Sequence, residues 1–462
     1  MSKMSKTSKW LGIIVVLVFI MSSVSVFGGE RKTRGGEYEP EKVLYSEIYS
    51  EKSTNFSLNE NSEASIYVQG ETTLEELRET VDSLVTDEII LNKIGFYPEQ
   101  IKSDYSRNDK YSEQLEYVGL YLDDNSQEVI LQFKNNDNKL KQDLVSSNNG
   151  YKNINSLIKN DKISMYGNET FSIKTEEVKY SKNELEEIFK LLDKFNWSDN
   201  GIVSMWVNVP TNQVEVNIAN SYEINTVYSN IVKYLLDEHN QYDIDYYSNI
   251  VCLSSGSTLN DLRDPIEERN INNNEKLISS SSRAYYDNIT YGSQITTIGS
   301  GIWYSAGYPW RSGFVTCAHG VQGNYNFVYY GNNTNYKLGS TSQYSYNNYQ
   351  DSAYVTFDSG KSFTNSYSMT YSNVLPSIGS RISATGAYGG SRTGTVKSNS
   401  VSIMGDTGMR FYELIQTTIN TYGGDSGGPL FVDNGSRRTI YGIVKGQDNV
   451  YSYFVAFKNI NH

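Results

Sequence analysis

Apolar positions in the first two hundred and fifty residues recur at two spacings, and each predicts a different element. Leu74, Leu77, Val81, Leu84 and Val85 fall three and four apart, as do Leu185, Ile188, Leu191, Leu192 and Phe195, which predicts two amphipathic helices. Each is followed by alternating apolar residues on either side of a short polar turn. One strand pair is Leu120-Tyr121-Leu122 and Val129–Phe133 around Asp123–Ser126; the other is Met205-Trp206-Val207 and Val214–Ile218 around Asn208–Asn212. The pairs superimpose at an offset of 85 residues, placing Leu122 on Val207, Val129 on Val214, Leu131 on Val216 and Phe133 on Ile218. We read a duplicated α+β unit over residues 56–253, closed by a helix at Ile231–Leu236. Coincidence between two strand-rich segments is the competing explanation.

From Ile295 to Phe457 the pattern changes to short apolar or aromatic runs separated by Gly, Asn and Ser, which predicts an all-β region of closely spaced strands at 289–462. The intervening stretch 254–288 is rich in Ser, Asn, Asp and Glu and reads as an exposed linker with a processing site. Residues 30–55 are polar without a period and read as a flexible leader. At 1–29, Lys3, Lys6 and Lys9 precede an apolar run from Leu11 to Met21 and then small residues, the pattern of a signal peptide. The run is short of the roughly 20 residues a membrane span needs. A secreted protein without stable membrane association after signal removal is therefore expected, with an uncleaved anchor as the alternative.

Composition sharpens this division. The formal net charge is −13, yet residues 30–284 hold 45 acidic against 26 basic side chains, while 285–462 hold 8 against 11. Two joined regions of opposite sign attract one another at low salt; a merely solvated acidic surface is the plainer reading. No run of basic residues interleaved with aromatics points to nucleic acid. Two cysteines, Cys252 and Cys317, make no disulfide framework, and Cys317 reads as a small buried apolar residue. With three histidines and unpaired cysteines, no metal or other cofactor is implied. His239, beside Asp237 and Glu238, reads as a surface interaction at a helix end.

The chemistry is concentrated in Tyr422-Gly423-Gly424-Asp425-Ser426-Gly427-Gly428-Pro429-Leu430. Glycines around a serine permit a tight turn that exposes the hydroxyl and aims main-chain N–H groups at one spot, which suits an oxyanion hole formed by Gly424 and Ser426. The apolar Leu430-Phe431-Val432 that follows argues for a buried strand and against a surface loop. An ordinary serine needs a positioned base. Of the three histidines, His239 lies in the N-terminal region and His462 is terminal, which leaves His319, at the end of the apolar Gly313–Ala318 run. Among acids between His319 and Ser426, strand alternation puts Asp351 on the face of Ala353, Val355 and Phe357, where its carboxylate needs a buried partner. Glu413 shares a face with Phe411 and Ile415 and is the competitor. Thus Ser426 is the nucleophile, His319 the base and Asp351 the acid.

These fragments, with Thr316-Cys317-Ala318-His319, Asp351–Val355, Gly394-Thr395-Val396, Leu414–Thr418 and Tyr441–Val444, resemble the chymotrypsin-fold serine peptidases, closest to the bacterial streptogrisin and alpha-lytic type made with a folding pro-region. The resemblance covers residues 289–460. It implies two antiparallel β-barrels, roughly 289–372 and 373–462, with the site in the crevice between them. It implies a serine endopeptidase acting on protein or peptide substrates, with its own pro-region as intramolecular folding aid and inhibitor, and a monomer. The specificity pocket would be walled by Asn420, Thr421, Tyr422 and Gly423 on one side and Lys445, Gly446 and Gln447 on the other. Asn420 stands where an acid would select Lys or Arg, so an uncharged side chain is expected. Lys445 departs from the family by replacing a serine on the substrate-binding strand. A second departure concerns Asp425: its usual arginine partner is missing, and Arg381, Arg392 or a new amino terminus are the substitutes left open. A non-catalytic protease-like protein that binds peptides or a surface partner is the alternative function.

Overall fold

A computed structural model describes residues 41–44, 65–69, 84–98, 115–135, 158–166, 169–257, 288–297 and 303–460, apart from gaps at 324–325, 332–334, 365–366, 406–407, 436 and 449. The signal segment 1–29 and most of the linker lie outside the described residues, as do residues 74–83 of the first expected helix.

The N-terminal region begins with β1 (Glu41–Leu44) and β2 (Ser65–Gln69), paired antiparallel, so part of the expected leader is a strand. Leu84 and Val85 precede, rather than end, a helix: α1 spans Asp87–Ile94, with Thr86 Oγ1 accepting from the Ile89 N–H and Gly95 closing it in the left-handed conformation. Then come β3 (Leu115–Asp123), β4 (Glu128–Asn135), β5 (Lys162–Met165) and β6 (Glu169–Val178). The second expected helix is α2 (Lys182–Asp193), started by a reciprocal capping box between Ser181 and Glu184. After it follow β7 (Ile202–Asn208), β8 (Gln213–Ala219), α3 (Ile224–Glu238), α4 (Ile244–Ile250) and β9 (Val251–Ser257). Strand β9 carries the folded chain three residues past Ser254, where the linker was expected to start. His239 closes α3, but it is buried, between the Tyr247 hydroxyl at 2.9 Å and Glu187 at 3.0 Å.

The hairpins β3–β4 and β7–β8 share one register at the 85-residue offset: Leu122 faces Val129 as Val207 faces Val214, and Leu120 faces Leu131 as Met205 faces Val216. In each, the second strand takes a parallel neighbour, β6 beside β4 and β9 beside β8. Alternation explains the register, since slipping either hairpin by one residue would turn the buried set Leu120, Leu122, Val129 and Leu131, or Met205, Val214 and Val216, to the wrong face.

The C-terminal region is built almost wholly of strands. Its first part holds β10 (Asn288–Ile289), β11 (Gln294–Thr297), β12 (Trp303–Ser305), β13 (Pro309–Trp310), β14 (Gly313–Thr316), the single turn α5 (Ala318–Val321), β15 (Phe327–Tyr330), β16 (Lys337–Asn347) and β17 (Gln350–Phe357). Seven of these strands form one antiparallel sheet in the order β12-β11-β15-β16-β17-β14-β13 around Ile295, Tyr304, Phe314, Val328, Leu338 and Val355. The short β18 (Ser362–Phe363) pairs in parallel with β10 and closes the first part; the second part holds β19 (Ser368–Ser372), β20 (Arg381–Gly386), β21 (Gly390–Met404), β22 (Arg410–Thr417), β23 (Pro429–Asp433), β24 (Arg437–Gln447) and β25 (Ser452–Ala456). The pairings β21–β20–β23–β24–β25–β22–β21 close a six-stranded antiparallel ring. Strand β19 pairs with β24, so it belongs with the second part and not, as expected, with the first.

The N-terminal region extends this ring twice. Beyond the reach of β20, β7 takes the same edge of β21, with Trp206 opposite Val401 and Ser204 opposite Ile403; β2 adds to β19. Trp206 packs in one core with Phe411, Tyr453 and Val455, and Ile66 and Val68 pack with Ile382 and Leu430. The tip of β3–β4 docks on the ring through the Leu122 N–H to the Ile378 carbonyl.

Candidate active site

Strand β14 ends at Thr316, and one helical turn then presents His319, which is almost fully buried. Its neighbour in the sheet, β17, supplies Asp351, wholly inaccessible to solvent, because Thr316 pairs with Ala353 two residues on. The carboxylate grips the histidine twice: Oδ1 accepts the His319 main-chain N–H at 2.9 Å, and Oδ2 takes the ring Nδ1 at 2.6 Å. With Nδ1 as the donor, Nε2 is the acceptor nitrogen. Glu413, the competing acid, instead pairs with Lys458 at 2.7 Å on the surface.

A second cation reaches the same carboxylate. Lys445, on β24 of the ring, places Nζ 3.0 Å from Asp351 Oδ2 and is only 8% exposed along its side chain. Its ammonium lies 4.6 Å from the centre of the Phe411 ring and 5.5 Å from that of Tyr346. Burial by itself would raise the Asp351 carboxyl; the charges of His319 and Lys445 and the two hydrogen bonds from His319 outweigh it and hold the group well below the usual carboxylate range. The side chain of Lys445, expected at the pocket wall, thus ends on the acid of the candidate site.

Ser426 is on a turn between Gly424 (φ 93°) and Gly427 (φ 85°). Neither glycine admits a side chain without strain, and a Cβ on Gly427 would also stand 2.4 Å from Thr316 Oγ1 and 2.8 Å from Cys317 N. The turn is tied to both halves of the C-terminal region. Ser305 on β12 donates its N–H to the Ser426 carbonyl and its hydroxyl to the Gly424 carbonyl, each at 2.8 Å, while Thr316 Oγ1 donates to the Ser305 carbonyl at 2.7 Å. On the other side, the Gly427 N–H donates to the Val444 carbonyl at 2.9 Å, and the Val444 N–H to the Gly428 carbonyl at 2.8 Å. The serine turn therefore packs beside the strand end that leads to His319 and beside the residue that precedes Lys445. Ser426 Oγ is buried and has no hydrogen-bond partner among the described residues. No acceptor among the described residues takes the main-chain N–H of Gly424 or Ser426.

Of the partners the sequence left open for Asp425, neither arginine forms an ion pair with it in the full-length chain. Its carboxylate accepts main-chain N–H groups from Tyr388, Gly389 and Tyr422 at 2.9, 2.7 and 2.9 Å. Burial raises its carboxyl even so, against those bonds and the nearby charge of Arg392. Arg392 itself donates to the Asn420 carbonyl at 2.6 Å and lies 4.0 Å from the Tyr422 ring centre. Arg381 turns to the N-terminal region, pairing with Asp124 at 2.7 Å and Glu169 at 2.6 Å.

The remaining pocket residues differ in what they present. Asn420 and Tyr422 are exposed, Thr421 is buried with its hydroxyl 2.9 Å from that of Ser452, and Gly423, Gly446 and Gln447 are half-buried. Sequence reasoning missed Ser305, which buttresses the serine turn from the other sheet, and Asp448, which takes the Tyr453 hydroxyl at 2.5 Å beneath β24. Ser305 carries no local pattern, since its partner Gly424 is distant in the chain, whereas Asp448 acts on Val450, Tyr451 and Tyr453 within five residues, a local turn signal that went unread.

Residues 299–440 match the family model of the trypsin-like peptidase domain. No curated protein matches the chain. Similar solved structures include a chymotrypsin of Cellulomonas bogoriensis (22% identity, 37% of this chain and 91% of that one, TM-score 0.30). Protease A of Thermobifida fusca gives 23% identity, 37% and 91% coverage and a TM-score of 0.31. An alpha-lytic protease homolog, N4, gives 17% identity, 37% and 93% coverage and 0.31. The β-rich C-terminal region is thus the part of the chain that matches a trypsin-like peptidase domain.

Proposed function

Given a trypsin-like peptidase domain at residues 299–440, we propose that the chain is the precursor of a secreted serine endopeptidase that cleaves peptide bonds through an acyl-enzyme. Ser426 Oγ attacks the substrate carbonyl carbon and passes its proton to His319 Nε2. Asp351 holds the ring by Nδ1 and stabilises the imidazolium that results. The oxyanion takes the N–H groups of Gly424 and Ser426, a contribution of about 3 kcal/mol per donor in acyl transfer. Collapse expels the amine, which His319 protonates; water, deprotonated by His319, then hydrolyses the ester and returns the proton to Ser426. The observation that carries this reading is the double grip of Asp351 on His319, because it fixes both tautomer and ring plane.

The test is covalent trapping. A fluorophosphonate should label Ser426 of the wild-type protein, located by mass spectrometry, and leave Ser426→Ala unlabelled. A properly processed wild-type protein that stays unlabelled would overturn the reading in favour of a peptide-binding protein.

In the same proposal the N-terminal region is an intramolecular folding aid and inhibitor, removed by cleavage in the linker. Its strands β7 and β2 on the ring support that role. If the chain processes itself, Ser426→Ala accumulates at full length; clean maturation of that variant would assign the cut to another protease. Asn420 is not acidic, and Asp425, the carboxylate nearest it in the serine loop among the described residues, is buried against main-chain N–H groups, so the cleavage site carries an uncharged side chain. Peptide-library profiling checks this, and a Lys or Arg preference would refute it.

A further inference from the structure

The triad geometry contains a charge that the proposed mechanism does not use. Lys445 comes from the opposite half of the C-terminal region, directly after Val444, whose N–H and carbonyl hold the serine turn. It sends its ammonium to the same oxygen of Asp351 that accepts His319 Nδ1, at 3.0 Å against 2.6 Å. We propose that Lys445 is a positioning residue of the triad: its ammonium holds the Asp351 carboxylate at the oxygen that also takes the histidine ring, and lowers the pH at which His319 becomes a free base. This inference rests on the serine-peptidase reading.

Three observations support it. Asp351 and Lys445 are both buried, so their interaction is weakly screened and their geometry is fixed. The ammonium is seated against Phe411 and Tyr346, whose ring faces favour a cation that has lost its water. Two groups act directly on the carboxylate, His319 from α5 and Lys445 from β24; around them, among the described residues, stand Tyr344, which feels the charge of Asp351, Cys317 near Tyr344, and Tyr346 beside the ammonium. Tyr344 stays neutral, because burial, and then the charge of Asp351, push its hydroxyl up. Lys445 is therefore the cation that offsets Asp351 before His319 takes a proton.

The sign follows directly. A carboxylate alone favours the imidazolium, while a carboxylate already facing an ammonium favours it less. Removing the ammonium makes His319 hold its proton to higher pH, and only the unprotonated ring can accept the proton of Ser426.

The test is the second-order rate of fluorophosphonate labelling of Ser426 against pH, for protein expressed from the full chain and for Lys445→Ser and Lys445→Met. The serine variant keeps a donor for Asp351 without charge; the methionine variant keeps the apolar stem; whichever folds decides the matter. The acidic limb should move to higher pH by about one unit. A limb that coincides with the wild type, with labelling merely slower at every pH, overturns the inference and makes Lys445 a packing residue. Loss of labelling in the wild type at all pH values would instead remove the peptidase reading, and this inference with it.

Discussion

At the scale of single residues, the site depends on groups that have one conformation available to them. Gly427 is the clearest case. Its φ of 85° and the 2.4 Å approach of Thr316 Oγ1 to a notional Cβ both forbid a side chain. Gly427→Ala should lose labelling of Ser426 at least tenfold and lower the denaturant midpoint, whereas Gly435→Ala, also at positive φ but in open space, should lower the midpoint without slowing labelling. Asp351 makes a second prediction. Asp351→Asn strands the Lys445 ammonium in the interior, which should destabilise the protein by about 3–5 kcal/mol and slow hydrolysis on the order of 10⁴-fold. The pH dependence has a definite sign. Because the folded carboxyl is held below its ordinary value near about 4, its contribution is complete above that pH and is lost as pH falls toward the folded value. The gap between wild type and variant in urea unfolding should therefore begin to narrow below about pH 4 and keep narrowing as pH falls further, and a constant gap would contradict the ion-pair account.

At the scale of elements, strand edges determine how the two regions meet. Strand β21 is fifteen residues long, so β20 and β7 can share one of its edges in succession while β22 holds the other. Arg381, at the start of β20, adds Asp124 and Glu169 to that contact, and Arg410, at the start of β22, reaches Asp193 at 3.1 Å. The charge imbalance between the regions is thus used at particular points and is more than a solvated surface. These groups are about a quarter to a third exposed, so each pair is worth little in isolation. Reversing the charge is more informative. Arg381→Glu should speed hydrogen exchange of the β3–β6 sheet several-fold in the full chain, more at low salt than at high, and unchanged exchange would show that main-chain pairing alone holds the contact.

At the scale of the whole molecule, the C-terminal region completes its ring without help but relies on the N-terminal region for two added strands and for Trp206 in its core. Its strands pair across long stretches of chain, and such topologies fold slowly. Residues 288–462 expressed alone should recover labelling of Ser426 after dilution from denaturant at least tenfold less well than the full chain. Equal recovery would remove the folding role from the N-terminal region.

Local pattern alone identified the elements whose cause is local. The α2 helix follows from its apolar spacing and the Ser181–Glu184 box, and both hairpins follow from alternation around polar turns. The α1 helix has local causes too, the Thr86 cap, the acids Asp87 and Glu88 and the closing Gly95, although its short apolar run went unread. At the site, Ser426 and His319 were legible because a glycine-rich turn and a strand-ending histidine are short-range signals, and Asp351 because burial of a carboxylate demands a partner. What the chain order could not express is which distant side chain supplies a charge or a buttress. Lys445 lies ninety-four residues from Asp351 and meets it only because β24 and β17 face each other across two packed sheets. Arg381 likewise looked available to Asp425 until docking of the β3–β6 sheet claimed it. Spacing along the chain fixes faces and turns; only the packing of one sheet against another decides which of those faces touch.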